Sequence, residues 1–181
     1  KTYTAADGLP RDAVFKVRQD SRGLIWFCTD EGVVRFDGYE FKVYSTEDGL
    51  PSDTLFDVIQ TKRGAYWLAT GKGLVRFNPQ GKRVPLSSNG QQPKMFITSI
   101  PDDLPQNAEN RNRINVLAES ENGKLWIGST HGLYWVEAND EQARWRKFDL
   151  PVPNQKKPLW VKSLLADRNG GLWVAAEQQI L

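Results

Sequence analysis

The chain has 181 residues, of which 39% are hydrophobic and 25% charged, enough for one soluble domain with its own core. A net charge of +2, with signs alternating along the chain, gives no ground for a nucleic-acid partner, and no apolar run of 18 residues offers a transmembrane helix. The single cysteine, Cys28, excludes an internal disulfide. Because Lys1 rather than Met begins the chain, it reads as a segment of something longer, and the lack of a signal peptide carries no weight.

In chain order, Val14-Phe15-Lys16-Val17 is rich in β-branched and aromatic residues, and Asp20-Ser21-Arg22-Gly23 is a tight-turn sequence. Leu24 to Thr29 forms a second strand, apolar on both faces as befits a strand covered on both sides. Cys28 falls within it and reads as a small buried hydrophobe, with a reactive thiol as the lesser alternative. Asp30-Glu31-Gly32 turns the chain into a third strand, Val33 to Phe36, and Asp37-Gly38 turns it again into a fourth, Phe41 to Tyr44.

The pattern then repeats. A shift of 41 residues carries Gly23, Trp26, Thr29, Gly32, Arg35 and Phe36 onto Gly64, Trp67, Thr70, Gly73, Arg76 and Phe77. A further 59 brings Gly123, Trp126 and Gly132 into place, and 47 more brings Gly170 and Trp173. A four-stranded repeat of this length with a Trp in each copy predicts an all-β fold, a β-propeller whose blades bury one another's apolar faces. A Trp removes about 150 to 250 Å² from water on burial. Trp26, Trp67, Trp126 and Trp173 are therefore expected in the core. The glycines at 23, 64, 123 and 170 are expected at hairpin turns with positive φ, and none belongs to a phosphate-binding run.

About three and a half blades are expected, part of a larger ring. Residues 1–10 match the outer strand and connecting loop of a preceding blade, 11–44 form blade 1, and 45–100 form blade 2. Blade 3 spans 101–148 and an incomplete blade 4 spans 149–181. Blade 2 carries an insertion near 84–93, with Ser87-Ser88-Asn89-Gly90 as a loop tip, and Lys94 to Ile100 is read as its displaced fourth strand. A disordered linker is the competing reading of this Pro- and polar-rich stretch. In blade 3, Trp135 takes the place of Arg35 and Trp145 that of Phe41, and by register Gln179 stands where Gly32 stood.

These residues resemble the two-component regulator propeller repeat. The resemblance rests on Asp7-Gly8-Leu9-Pro10 and Asp48-Gly49-Leu50-Pro51 before the first strands, on the Gly-x-x-Trp-x-x-Thr strand, and on the run from Gly32 to Tyr39. The third and fourth copies lack the Gly-Leu-Pro element. The resemblance implies a propeller of typically seven blades in the extracytoplasmic, periplasmic sensor region of a membrane-anchored signalling protein, often a hybrid histidine kinase. Its output domain would lie outside this segment, and the segment itself would touch neither membrane nor nucleic acid.

A propeller gathers the loops entering its inner strands, and those joining second to third strands, on one face around the channel. By register the entering loops carry Arg11, Asp12, Ser52, Asp53, Arg111, Arg113, Leu159 and Trp160, and the second-to-third loops carry Asp30, Glu31, Lys72, Thr130, His131 and Glu177. These positions differ from blade to blade, so building a blade does not require them. Solvated surface charge is the bland reading of each. Arg113 and Trp160 share one register position and are the favoured pair, the first for an anionic group and the second for stacking on a sugar face or aromatic ring. His131 alone reads as a solvated side chain sooner than a catalyst.

Three functions remain open on sequence. The leading expectation is a non-enzymatic sensor binding a small-molecule or glycan-like ligand, with no cofactor and no metal. A protein-interaction scaffold is the alternative, including self-association through exposed blade edges. A lyase or hydrolase is third, since one His and one Cys make no metal cluster and no Gly-x-Ser-x-Gly elbow occurs.

Overall fold

A computed structural model describes residues 2–10, 13–81, 94–104, 110–140, 142–151, 159–177 and 179–180. Its strands fall into four antiparallel sheets. The first is β1 (Val14–Gln19), β2 (Ile25–Thr29), β3 (Val33–Phe36) and β4 (Phe41–Tyr44), hydrogen-bonded in chain order. The second is β5 (Leu55–Gln60), β6 (Tyr66–Thr70), β7 (Gly73–Phe77) and β8 (Phe96–Ser99). The third is β9 (Ile114–Glu119), β10 (Lys124–Ser129), β11 (Gly132–Glu137) and β12 (Arg146–Phe148). The fourth holds β13 (Val161–Ala166), β14 (Leu172–Ala176) and β15 (Gln179–Ile180). The first strands of successive sheets lie beside one another, β1 by β5, β5 by β9 and β9 by β13, as the inner strands of a propeller arc do.

The displaced strand expected between Lys94 and Ile100 is β8, which pairs Phe96 with Phe77 and Ser99 with Leu74. The insertion at 84–93 lies outside the described residues. The hairpin glycines at 23, 64, 123 and 170 all have φ between 80° and 86°, the left-handed region in which L side chains are strained.

Each layer of core sits between two blades rather than within one. Trp26, Cys28, Val33 and Tyr44 of the first sheet pack with Leu55, Val58, Tyr66, Val75 and Phe77 of the second. Trp67, Leu74 and Leu117 anchor the next layer, and Leu133, Val161 and Val174 the one after. One position shows how closely the sheets approach. Cys28, Ala69, Gly128 and Ala175 share a register, and a Cβ on Gly128 would stand 2.6 Å from Val116 Cγ1 and 2.6 Å from Val161 Cγ1. Only small residues fit there, which accounts for a fully buried, free Cys28. Burial pushes its thiol pKa well up, so it is inert.

The expected burial of the four periodic tryptophans holds for two of them. Trp26 and Trp67 are each 1% exposed, Trp126 is half-buried, and Trp173 is 55% exposed. The reason is coverage. The fourth sheet is short of an outer strand among the described residues and so covers only part of Trp126, and no described blade lies beyond Trp173. The same effect appears at the other end, where Ile25 and Phe27 of β2 are half-buried although every residue of β6, flanked on both sides, is buried.

Residues 2–10 end in a 3-10 turn, Ala5–Asp7, closed by a capping box between Thr4 and Asp7. Another, Thr46–Asp48, has the same box between Ser45 and Asp48 one repeat later. Tyr3 meets Phe36 edge-on at 5.0 Å, as Tyr44 meets Phe77 at 5.1 Å. The opening residues therefore pack against the first sheet as the end of β4 packs against the second.

Candidate functional site

The loops singled out on sequence do come together at one end of the sheets, and main-chain bonds hold them there. Gly71 N donates to Thr54 O, Thr130 N to Arg113 O, and Glu177 N to Trp160 O, each tying a second-to-third turn to the entering loop of its own blade. The turns are built by a hydroxyl at the end of the second strand. Thr29, Thr70 and Ser129 each donate to the carbonyl three residues on, at 2.8, 2.8 and 3.0 Å, and accept from Glu31, Lys72 and His131 N–H respectively. The Thr of the repeat thus shapes the turn that presents the variable residue.

A second device lies one step inside. In every blade the pairing of first and second strands slips once, between Val14 and Lys16, Leu55 and Asp57, Gly128 and Ser129, and Val161 and Ser163. The extra residues are Phe15, Phe56, Asn115 and Lys162. A bulge re-aims the side chain it carries. Here the four form a row with Arg113 and Trp160. Phe15 stacks on Phe56 with centroids 6.0 Å apart, and the Arg113 guanidinium lies 3.9 Å over Phe56 and 5.3 Å from the Trp160 ring. Arg113 Nε donates to Asn115 Oδ1 at 2.8 Å, and Asn115 Nδ2 donates to Val161 O at 2.9 Å. Lys162 Nζ stands 5.5 Å from the Trp160 ring.

The favoured pair, Arg113 and Trp160, is therefore brought into contact, as a cation on an aromatic face. Phe15 is 50% exposed and Trp160 38%, so the row offers two open ring faces beside a fixed charge. Partial burial lowers the Arg113 pKa, and a guanidinium remains charged at ordinary pH.

The other candidates scatter. Asp53 is taken up by structure, its carboxylate accepting from Thr46 N at 2.7 Å and Thr46 Oγ1 at 3.0 Å. Asp30 Oδ1 is buried without a hydrogen-bond partner among the described residues. His131 is half-buried, with Nδ1 2.9 Å from Thr130 Oγ1, and burial, then the Lys147 charge, lowers its pKa and favours the neutral ring. Glu31 is half-buried, while Lys72 and Glu177 are exposed. Asp12 lies outside the described residues. Sequence reasoning missed the bulge residues Phe15, Phe56, Asn115 and Lys162. Their signal was a fixed register position occupied by unlike residues, two places after the Arg113 position.

Beneath the row, Asp57 is completely buried and joins three inner strands. It accepts from Arg18 Nε and Nη2 at 3.2 Å each and from Leu117 N at 3.0 Å. Among the described residues no group of three or more His, Cys, Asp or Glu is placed to hold a metal ion, and no helix is long and apolar enough to cross a membrane.

No family model matches the chain. Over 43 residues, 24% of this chain and 3% of the relative, it is 40% identical to histidine kinase P4 of Formosa agariphila. Among solved structures it is similar to a virginiamycin B lyase from Staphylococcus aureus, with 14% identity and a TM-score of 0.64 over 92% of this chain and 50% of that one. It is likewise similar to PorZ, a surface component of the type-IX secretion system of Porphyromonas gingivalis, with 18% identity and a TM-score of 0.63 over 98% of this chain and 26% of that one. The extracellular domain of a protein assigned to the hybrid two-component systems of B. thetaiotaomicron aligns over 99% of this chain and 30% of its own, at 21% identity and a TM-score of 0.49. The chain thus spans half or less of each of these proteins. With the four-sheet arc, the likenesses to the lyase and to PorZ define a β-propeller fold, a piece of a larger propeller.

Proposed function

We propose that this chain is a non-enzymatic, ligand-binding propeller segment of an extracytoplasmic sensor in a two-component-type signalling protein. The row Phe15–Phe56–Arg113–Trp160 carries the binding part of this reading. It crosses all four blades and presents aromatic faces and a charge toward solvent at one end of the inner strands. The repeat motifs and the 43-residue likeness to a histidine kinase support the signalling part. A ligand with a ring face and an acidic or strongly polar group suits the row, because stacking and a charge-assisted hydrogen bond then act together. With Arg113 Nε given to Asn115, an acidic group would meet the Nη end of the guanidinium. Ligand would signal by binding two arrangements of the whole protein unequally.

Calorimetric titration with a panel of neutral and acidic oligosaccharides tests this, with the recovered sugar checked for chemical change. Trp160→Ala and Arg113→Gln are expected to weaken binding about 3- to 10-fold each, in line with aromatic and charge contacts of this kind. Equal affinity in parent and both variants would remove the row as the site, and conversion of the sugar would replace the sensor reading by an enzymatic one.

A further inference from the structure

Below the row, side chains pin the first two seams between blades at two levels. At the far end of the inner strands, Gln60 Oε1 accepts from Ser21 N at 2.8 Å and Glu119 Oε2 accepts from Lys62 N at 2.7 Å. In each case the last residue of an inner strand reaches back to the hairpin turn of the preceding blade. Lys62 Nζ adds an ion pair to Glu121 across the second seam at 2.6 Å. Midway along the strands, Asp57 binds Arg18 of blade 1 and Leu117 N of blade 3, so one carboxylate pins both seams.

The seam between blades 3 and 4 lacks both of these pins. Ala166 pairs with Leu172 as Gln60 pairs with Tyr66 and Glu119 with Leu125, so it holds the same register. Its methyl group cannot accept from the N–H of Glu121, which stands where Ser21 and Lys62 stand. Val116 holds the register of Asp57, opposite Gly128 as Asp57 is opposite Ala69, and has no carboxylate to offer Leu164 N. Ala118, Leu133, Leu164 and Val174 make the contact instead. Apolar contact favours buried area without favouring a direction, whereas a hydrogen bond fixes both.

What does locate this seam lies at the row. Asn115 Nδ2 donates to Val161 O at 2.9 Å, and the Val161 side chain sits over Gly128, where a Cβ would meet its Cγ1 at 2.6 Å. Across the same seam the Arg113 guanidinium faces the Trp160 ring at 5.3 Å. Blade 4 is thus pinned to blade 3 at one end of its inner strand and rests on apolar surface along the remainder.

We propose that blade 4 rocks on blade 3 about Val161, and that a ligand held by Arg113 and Trp160 together arrests the rocking. The first half stands on the seam alone; the second rests on the row being the ligand site. Small sliding of packed elements is one form that conformational change takes. A ligand that touches both sides of the seam binds one arrangement better than the others and shifts the population toward it. The third seam then reports occupancy of the row, while the two pinned seams hold the rest of the arc still.

The test follows microsecond-to-millisecond exchange at backbone N–H groups by relaxation dispersion, with benzoate, a ring bearing a carboxylate, as the probe. Without ligand, dispersion is expected in Val161–Ala166 and Leu172–Ala176 and not in Leu55–Gln60 or Tyr66–Thr70. Ala166→Gln supplies the missing far-end pin. It should slow hydrogen exchange at the Glu121 N–H and abolish the blade 4 dispersion. Saturating benzoate should cause the same loss in the parent and no loss in Arg113→Gln.

A parent without blade 4 dispersion would overturn the rocking, as would dispersion that persists once Ala166→Gln has slowed Glu121. An unchanged Glu121 N–H in that variant would overturn the place given to the pin. Benzoate that binds at the row and leaves the dispersion intact would overturn the coupling. A parent that rocks, is stilled by Ala166→Gln and takes up no benzoate would remove the row as a site for a ring acid and leave the seam as proposed.

Discussion

Blades 1 and 4 contain the same local construction in opposite surroundings. Asp20 accepts from Trp26 Nε1 at 2.9 Å, and Asp167 accepts from Trp173 Nε1 at 3.1 Å. Each aspartate also receives backbone N–H groups from its turn, those of Arg22 and Leu24 in one and of Asn169 and Gly171 in the other. Yet Trp26 is 1% exposed and Trp173 is 55% exposed. The hydrogen bond therefore belongs to the hairpin and is set by sequence within a few residues. Burial belongs to the neighbour. A blade orients its tryptophan by itself and depends on the next blade to take it out of water.

Substitution of the two tryptophans should separate these contributions most strongly. Trp26→Ala removes a ring packed among Tyr44, Tyr66 and Phe77 and should cost about 3–5 kcal/mol in denaturant unfolding, against less than about 1 kcal/mol for Trp173→Ala. Similar losses for both would show that Trp173 is covered in solution. Gly128→Ala asks how tightly blade 4 is seated on blade 3. Its Cβ would press on Val116 and Val161, and a loss of about 1–3 kcal/mol is expected. A neutral result would mean that the blade shifts away without cost.

The aspartates give the pH form of the same contrast. Burial opposes ionisation of Asp20, but the bonds from Tyr66, Trp26 and two backbone N–H groups outweigh it and hold its pKa below the usual carboxylate value. A depressed folded pKa contributes stability that is complete above the unfolded value, about 3.9, and is lost as pH falls through the folded one. Asp20→Asn should cost about 1–3 kcal/mol at neutral pH and flatten the loss of stability below about pH 4. Asp167 is also depressed, chiefly by the Gly171 N–H, but it is only half-buried, beside an exposed tryptophan, and Asp167→Asn should leave the acid limb of the unfolding curve nearly unchanged. The smallest effect concerns the closed side of blade 1. Cys28 should resist a thiol reagent in native buffer and react only as the protein unfolds, and rapid native labelling would show that blades 1 and 2 part readily.

This contrast also marks how far the sequence could be read. The 41-residue shift exposes Trp, Thr and Gly because each does a job inside its own blade, so the sheets and turns follow directly from it. Trp173 defeated the same logic, because its exposure depends on a surface that its own residues do not encode. Asp53 looked like a ligand contact and instead accepts two bonds from Thr46, within a turn whose Ser45 and Asp48 box was readable in the sequence. The bulge residues Phe15, Phe56, Asn115 and Lys162 have no chemistry common to all four. Their kinship is a backbone slip, which leaves no common side chain to recognise.

The bonds from Gly71 to Thr54, Thr130 to Arg113 and Glu177 to Trp160 run from main chain to main chain. They are thus blind to what side chains the loops carry. Two strand ends can be held in place while the residues displayed between them are exchanged one at a time, so that a loop can change in one blade without disturbing the next. The scaffold behaves as a set of sockets into which unlike residues fit.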